Sequence, residues 1–163
     1  MASLSDSLVK ELLQGRYIAT LATHNADGSI HMVAVWFWFD DANLYIATAS
    51  NTRKARNLQL NPHASLMVDS REAQTSRGVT ITGTAKLVTG DASRQYNPRV
   101  HAKYLSERAI ADQRVGPVFA AWDNVTIQLS PTGVFAWDLR EADKQAFGGA
   151  LGSNPGYLLE PAR

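Results

Sequence analysis

Short apolar strands separated by tight polar turns are the feature of this chain that most constrains its fold. The clearest strand runs from Gly78 to Val88, where apolar residues alternate with threonine and lysine, as in a strand with one buried face. Further strands are predicted over residues 17–23, 30–39, 44–49 and 64–68. Turns as short as Asn25–Gly28 and Asp40–Asn43 leave no room for crossover connections, so the strands are expected to pair antiparallel.

The last two predicted strands, 125–129 and 133–137, flank Pro131-Thr132 and are expected to form a hairpin. Gly83 interrupts the strand from Gly78 to Val88 and predicts a bulge or a close backbone approach. After Leu139 the sequence is glycine-rich and weakly patterned. We therefore divide the chain into a barrel domain, residues 1–139, and a tail, residues 140–163. The tail also carries apolar residues, which leaves two alternatives, packing on the surface or a lid over a groove.

Three helical regions are predicted, one before the first strand and two between later strands. The first follows the capping residues Ser5-Asp6-Ser7 and ends at Gly15. A second begins after Ala49 and stops at Asn61-Pro62, and a third covers residues 91–111 with a break at Asn97-Pro98. Antiparallel strands with so few helices favour a mainly β fold, a closed barrel. The interior of a small barrel is filled by side chains, so a sizeable ligand would bind in a groove shared with a second subunit.

The segment 49–58 places three cations, Arg53, Lys54 and Arg56, in the predicted first turn of the second helix. The N-terminal end of a helix carries a partial positive charge, so cations are unfavourable there unless an anion lies among them. Ser50 and Thr52 add capping and hydroxyl groups, and Arg53 and Lys54 could bind phosphate oxygens. The alternative interpretation is a basic helix face in contact with solvent.

The remaining composition excludes several classes of protein. A formal net charge of +1 gives no general attraction to nucleic acid or to an anionic membrane. The chain contains no cysteine, which excludes disulfides and thiolate chemistry and is typical of a cytoplasmic protein. Neither a secretory signal nor a membrane span is expected from the pattern of apolar residues. The chain has four histidines, His24, His31, His63 and His101. No metal site is expected, because their spacing does not gather them on one helical face as metal ligands.

Three sequence features follow one another in an informative order. They are a hairpin with Asp27-Gly28, a strand with Val35-Trp36-Phe37, and the segment Ser50-Asn51-Thr52-Arg53-Lys54-Ala55-Arg56-Asn57-Leu58, which is followed by Asn61-Pro62. Over residues 4–137 this arrangement resembles the pyridoxamine 5′-phosphate oxidase-like superfamily. The resemblance implies an antiparallel split β-barrel, usually a homodimer, that binds FMN or the deazaflavin coenzyme F-420. It further implies that Arg53 and Lys54 hold the cofactor phosphate with Ser50 and Thr52. The strand residues beneath the ring would be Val33, Ala34, Val35 and Trp36.

The arginine- and histidine-bearing C-terminal segment with which the classical oxidases bind their substrate is absent from the sequence. The likeness is therefore to the smaller flavin/deazaflavin oxidoreductases. The implied function is hydride transfer between the cofactor ring and a small unsaturated or aromatic substrate, without an identified proton donor. The alternative is a non-catalytic protein that stores or senses a flavin, a deazaflavin or haem. The motif does not separate FMN from the deazaflavin.

Overall fold

A computed structural model describes residues 2–70 and 76–158. The first half contains the elements α1 (Ser7–Gln14), β1 (Ala19–His24), β2 (Ile30–Val35), β3 (Trp38–Phe39), β4 (Leu44–Thr48), α2 (Arg53–Leu60) and β5 (His63–Ser70). The second half contains β6 (Arg77–Val88), α3 (Gly90–Tyr104), α4 (Glu107–Ala111), α5 (Gly116–Trp122), β7 (Val125–Asp138), α6 (Leu139–Phe147) and α7 (Ala150–Ser153).

The strands form one sheet in the order β2-β1-β5-β6-β7-β4-β3, and every pair is antiparallel. The two edge strands, β2 and β3, are joined by only Trp36 and Phe37. Two residues span less than about 10 Å even when extended, so the sheet must curl until its edges meet. The protein is therefore a mainly β split barrel with helices, as the sequence predicts.

The barrel interior is a single apolar core closed at one end by α1. Val9, Leu12 and Leu13 of α1 are fully buried, in agreement with the helical spacing of these residues. They belong to one cluster with the inward-facing strand residues, which include Leu21, Phe37, Ile46, Leu66, Ile81 and Ile127. Because side chains fill the barrel, ligands have to bind outside it.

The predicted hairpin around Pro131-Thr132 is wrong. Residues 125–138 form one continuous strand, β7, which pairs along its length with β6 and over its first part with β4. The register shifts at Thr82/Gly83, because Thr82 pairs with Gly133 and Gly83 with Pro131. Thr132 is thus the extra residue of a β-bulge, where a proline is tolerated within a strand. The bulge lies opposite Gly83, which confirms the irregularity predicted from the glycine in that strand.

Three other boundaries differ from the sequence prediction. The expected strand 30–39 is divided into β2 and β3 by Trp36-Phe37, where the chain passes from one sheet edge to the other. Helix α3 continues through Asn97-Pro98 to Tyr104, and the break follows at Leu105. The segment after Leu139 is helical as far as Phe147, and the last tail residues, 159–163, lie outside the described part of the chain. Among the described residues, no helix has the length and apolar character that crossing a membrane requires.

Candidate functional site

Helix α2 begins where β4 leaves the barrel, and Thr52 is its N-cap. The Thr52 hydroxyl accepts a hydrogen bond from the Ala55 N–H at 3.4 Å and donates to the Ala49 carbonyl at 2.9 Å. The first turn of the helix contains no acidic residue. The positive end of the helix dipole and the side chains of Arg53 and Lys54 therefore lie together, which is the charge arrangement that attracts an anion.

Lys54 lies at the junction of two cavities on the outside of the barrel. Its side chain is half-buried, and this burial lowers the pKa of its ammonium, an effect that Asp123 partly opposes. In the described part of the chain, no hydrogen bond or ion pair involves the ammonium. Removing a cation from water without a partner is unfavourable, so the position is suited to an anionic ligand.

The first cavity has a volume of about 390 Å³ and the second about 580 Å³. Both are lined by Ala47, Lys54 and Asp123, and together we call them the groove. The second cavity is lined by the loop before α2, including the predicted site residues Ser50 and Thr52. The first is mostly apolar, and its walls are Ile18, Ala34, Val35, Trp36, Val100, His101 and Phe119.

The groove brings together six of the eight residues predicted to bind the cofactor, namely Ser50, Thr52, Lys54, Ala34, Val35 and Trp36. The other two lie elsewhere in this single chain. Val33 packs against the barrel core, on the face of the strand opposite to that of Ala34. Arg53 is exposed and lines neither cavity; its charge lowers the pKa of Asp27 in the β1–β2 turn, an effect smaller than that of the hydrogen bonds from Ser29.

Trp36 is one wall of the first cavity and contacts both α3 and α5. Its indole stacks with the rings of Tyr104 and Phe119, at centroid distances of 5.0 and 5.6 Å. Planar rings at these separations stabilise one another beyond the area they bury. The same arrangement holds α5, which contributes Phe119, over the first cavity.

The sequence prediction did not include His101 and Asp123, a hydrogen-bonded pair that also lines the groove. Nε2 of His101 lies 2.8 Å from Oδ2 of Asp123 and donates to it, and both residues line the first cavity. Next to this pair, the Asn124 carboxamide oxygen accepts a hydrogen bond from the Ser50 N–H at 3.0 Å. The segment after α5 is thereby fixed to the loop before α2. No sequence motif connects these positions, so local signals could not have identified them.

The groove fits a phosphorylated planar cofactor. An unpaired ammonium beside hydroxyl groups and a helix N-terminus is suited to phosphate, and an apolar cavity along the backbone of Ala34–Trp36 is suited to a ring with a polar edge. In the described residues, no group of three or more acidic, histidine or cysteine side chains is arranged to hold a metal ion.

The sequence profile of pyridoxamine 5′-phosphate oxidase matches residues 6–134 of this chain. The protein therefore belongs to the family of pyridoxamine 5′-phosphate oxidase-like split-barrel proteins, as the sequence motifs indicate. The search of curated proteins gave no significant match.

Several solved structures share the fold. The conserved hypothetical protein Rv2991 from Mycobacterium tuberculosis is 23% identical with a TM-score of 0.70, and the alignment covers 85% of this chain and 87% of that one. An F420 reductase is 24% identical, with a TM-score of 0.62 and coverages of 77% and 94%. HutZ, the haem storage protein from Vibrio cholerae, is 22% identical, with a TM-score of 0.60 and coverages of 78% and 90%. At these identities the comparisons establish the fold alone.

Proposed function

We propose that the protein is an oxidoreductase that uses FMN or a deazaflavin of the F-420 type and acts on a small unsaturated or aromatic substrate. The observation that carries this proposal is Lys54, a half-buried ammonium without a hydrogen-bond partner among the described residues. It lies where the second cavity, lined by the loop before α2, meets the mostly apolar first cavity. Membership of a family that includes flavin-binding enzymes supports the same conclusion.

In this proposal Lys54 binds the cofactor phosphate, and the hydroxyl of Ser50 assists it. Thr52 caps α2 and so holds the N-terminal N–H groups toward the anion. The backbone of Val33–Trp36 would hydrogen-bond the polar edge of the ring, and Trp36 and Phe119 would exclude water from it. When bound, the cofactor supplies hydride transfer, while the protein supplies orientation and a dry site.

We further propose that the protein works as a homodimer. The outer face of the sheet carries a row of uncharged cross-strand neighbours, which are Ala34, Thr20, Met67, Thr80 and Phe135. Phe135 is 67% exposed, and Met32 on the same face is 62% exposed. An uncharged face of this kind beside the groove is suited to a second copy of the chain. Light scattering should give a dimeric mass for the parent and a monomeric mass for Met67→Glu.

A second candidate is a binding protein without catalytic activity. The solved structure of HutZ, described as a haem storage protein, has the same fold, and an apolar cavity walled by aromatic rings suits any large planar ligand. The two candidates differ in turnover. An oxidoreductase transfers electrons from its reduced cofactor to an acceptor, whereas a storage or sensing protein retains its ligand unchanged.

The phosphate assignment is tested by titrating FMN and the deazaflavin into Lys54→Gln and the parent protein. Loss of a charge-assisted hydrogen bond, about 1.5–3 kcal/mol, should weaken binding about ten- to a hundredfold. Arg56→Gln is the matched control, because Arg56 is an exposed cation of the same helix that lines neither cavity. The melting temperature without cofactor should stay the same or rise slightly, since a cation is removed from a helix start.

Equal dissociation constants in the parent and Lys54→Gln would overturn the phosphate assignment. If the cofactor binds but its reduced form is not reoxidised by any of a panel of nitroaromatic, quinone and enone acceptors, the binding-protein candidate is preferred. Haem titration, followed by its Soret absorption, completes the comparison.

A further inference from the structure

The connection from α5 to β7 brings Asp123 into the groove beside Lys54. The Asp123 main chain is anchored on two sides: its N–H donates to the Phe119 carbonyl at 3.0 Å, and its carbonyl accepts from Nδ2 of Asn97 at 2.7 Å. The carboxylate favours the charged form of Lys54 through its field. No ion pair joins the two side chains among the described residues.

The carboxylate is bound to His101 instead. The side chain of His101 is only 10% exposed, and its ring packs against Phe119 with centroids 5.1 Å apart. Its position on α3 is therefore fixed, and its Nε2 donates to Asp123 at 2.8 Å. The Asp123 side chain is itself 20% exposed, so little solvent competes for it.

Without this hydrogen bond, Asp123 would be drawn to Lys54. Opposite charges in a half-buried groove attract several times more strongly than in water. The ion pair would neutralise the ammonium that a phosphate requires. Apart from Lys54, Asp123 and His101, the residues that line the first cavity have no ionisable side chain, so no lysine or arginine of that cavity could take over the role of Lys54.

We propose that His101 is a positioning residue that holds Asp123 away from Lys54 and thereby keeps the ammonium available for an anionic ligand. This inference rests on the proposed function in one respect, because the anion is taken to be the cofactor phosphate. His101 does not touch the ligand in this role. It acts through the carboxylate.

The test is a double-mutant cycle with His101→Leu, Asp123→Asn and the double variant, with His101→Gln as the conservative replacement. The first readout needs no cofactor: the rate at which an amine-reactive ester acylates Lys54 in the full chain, followed by mass spectrometry of the Lys54 peptide. Only the neutral amine reacts, so pairing with Asp123 slows the reaction. We expect His101→Leu to slow it about fivefold or more. The double variant should react at the rate of Asp123→Asn, at least as fast as the parent, because neither contains the carboxylate.

The second readout is the dissociation constant for FMN, measured by fluorescence. We expect His101→Leu to weaken binding about fivefold or more. His101→Gln should bind FMN as the parent does, because the glutamine amide still donates to Asp123. The double variant should bind FMN as Asp123→Asn does, because neither contains the carboxylate. Asp123→Asn alone should tighten binding about twofold or more, since a negative charge beside the phosphate is removed.

Failure of the double variant to restore either property would overturn the proposal, because a purely structural role of His101 is not rescued at Asp123. Weaker FMN binding in Asp123→Asn would also overturn it, even if His101→Leu does not fold. If Lys54 acylation follows the expected pattern but no variant binds FMN or the deazaflavin, then the positioning role stands and the proposed function fails.

Discussion

The indole of Trp36 lies flat against the phenol ring of Tyr104, with ring centroids 5.0 Å apart and planes only 9° apart. Tyr104 also holds the chain around Trp36 through its hydroxyl, which donates to the Tyr17 carbonyl at 2.8 Å and accepts from the Phe37 N–H at 3.3 Å. Burial raises the pKa of this phenol to about 12. One residue of α3 thus fixes both the wall of the groove and the connection between the sheet edges.

Replacing Tyr104 by phenylalanine keeps the stacked ring and removes only the hydroxyl. The Tyr17 carbonyl and the Phe37 N–H then lose a partner in a partly buried position. We expect the free energy of unfolding in urea to fall by about 1–2 kcal/mol. Tyr157→Phe is the control, since Tyr157 is 63% exposed and its variant should match the parent. An unchanged midpoint in Tyr104→Phe would show that water replaces the hydroxyl.

Asn97 joins α3 to the start of β7 through a buried polar network. Its amide donates to the Asp123 carbonyl, and its carboxamide oxygen accepts from the Thr126 hydroxyl at 2.6 Å. Asn97→Leu removes the Asn97 donor from the Asp123 carbonyl and leaves the Thr126 hydroxyl with Ser93 as its partner, so we expect a loss of about 1–3 kcal/mol in the free energy of unfolding. Gln95→Leu, an exposed site on the same helix, should change it by less than about 0.5 kcal/mol. Equal effects of the two variants would contradict a structural role for the network.

Gly83 faces the bulge in β7 at close range. A Cβ atom there would lie 2.3 Å from the Ser130 carbonyl oxygen, so alanine forces a shift of the main chain. We expect Gly83→Ala to lower the free energy of unfolding by about 1–3 kcal/mol. Lys86→Ala, at an exposed site of the same strand, should leave it within about 0.5 kcal/mol of the parent. Denaturant titration of the two variants would contradict the expected clash if their midpoints agree.

Lys103 makes stability depend on pH in the alkaline range. Burial lowers the pKa of its ammonium to about 8, although the Leu13 carbonyl and the Phe37 ring both favour the charge. The ordinary pKa is 10.5, so the unfolded chain binds more protons between pH 8 and 10.5. The folded state is therefore stabilised as the pH rises through this range.

Comparison of the parent with Lys103→Met isolates this effect from other titrating groups. Allowing for partial exposure, the parent should gain about 1–2 kcal/mol relative to the variant between pH 8 and 10.5. Denaturant titrations at several pH values measure the difference. A constant difference over the range would show that Lys103 titrates normally in the folded protein.

Local signals in the sequence were enough for most elements of the fold. The periodicity of Leu8–Leu13 and the proline at position 62 correctly predict where α1 lies and where α2 ends, because these signals act within a few residues. The hairpin predicted around Pro131-Thr132 was wrong because this prediction also rested on local signals alone. The composition of this segment is that of a turn, but the pairing of β7 with both β6 and β4 decides its conformation, and pairing is a property of the whole sheet.

The residues of the candidate site also fall into those that local sequence signals predict and those that they do not. Ser50, Thr52 and Lys54 lie in one short segment with a recognisable motif, and the sequence predicts them as a group. His101 and Asp123 are far apart in sequence from that segment and carry no motif. They reach the groove because α3 packs on β4 and because β7 begins beside it. Such residues become visible only once the topology is known.

The two-residue connection between β2 and β3 has a consequence for how the protein is synthesised. Both edges of the sheet leave the ribosome early, but β7, which joins β6 to β4, comes last among the strands. Until β7 has emerged, β4 has only β3 as a partner, and the segment carrying Asp123 is not yet in place. A nascent chain that stalls before residue 125 therefore has no groove, and exposes unpaired strand edges that favour aggregation. The groove is thus formed only after β7 has been synthesised and has paired with β4.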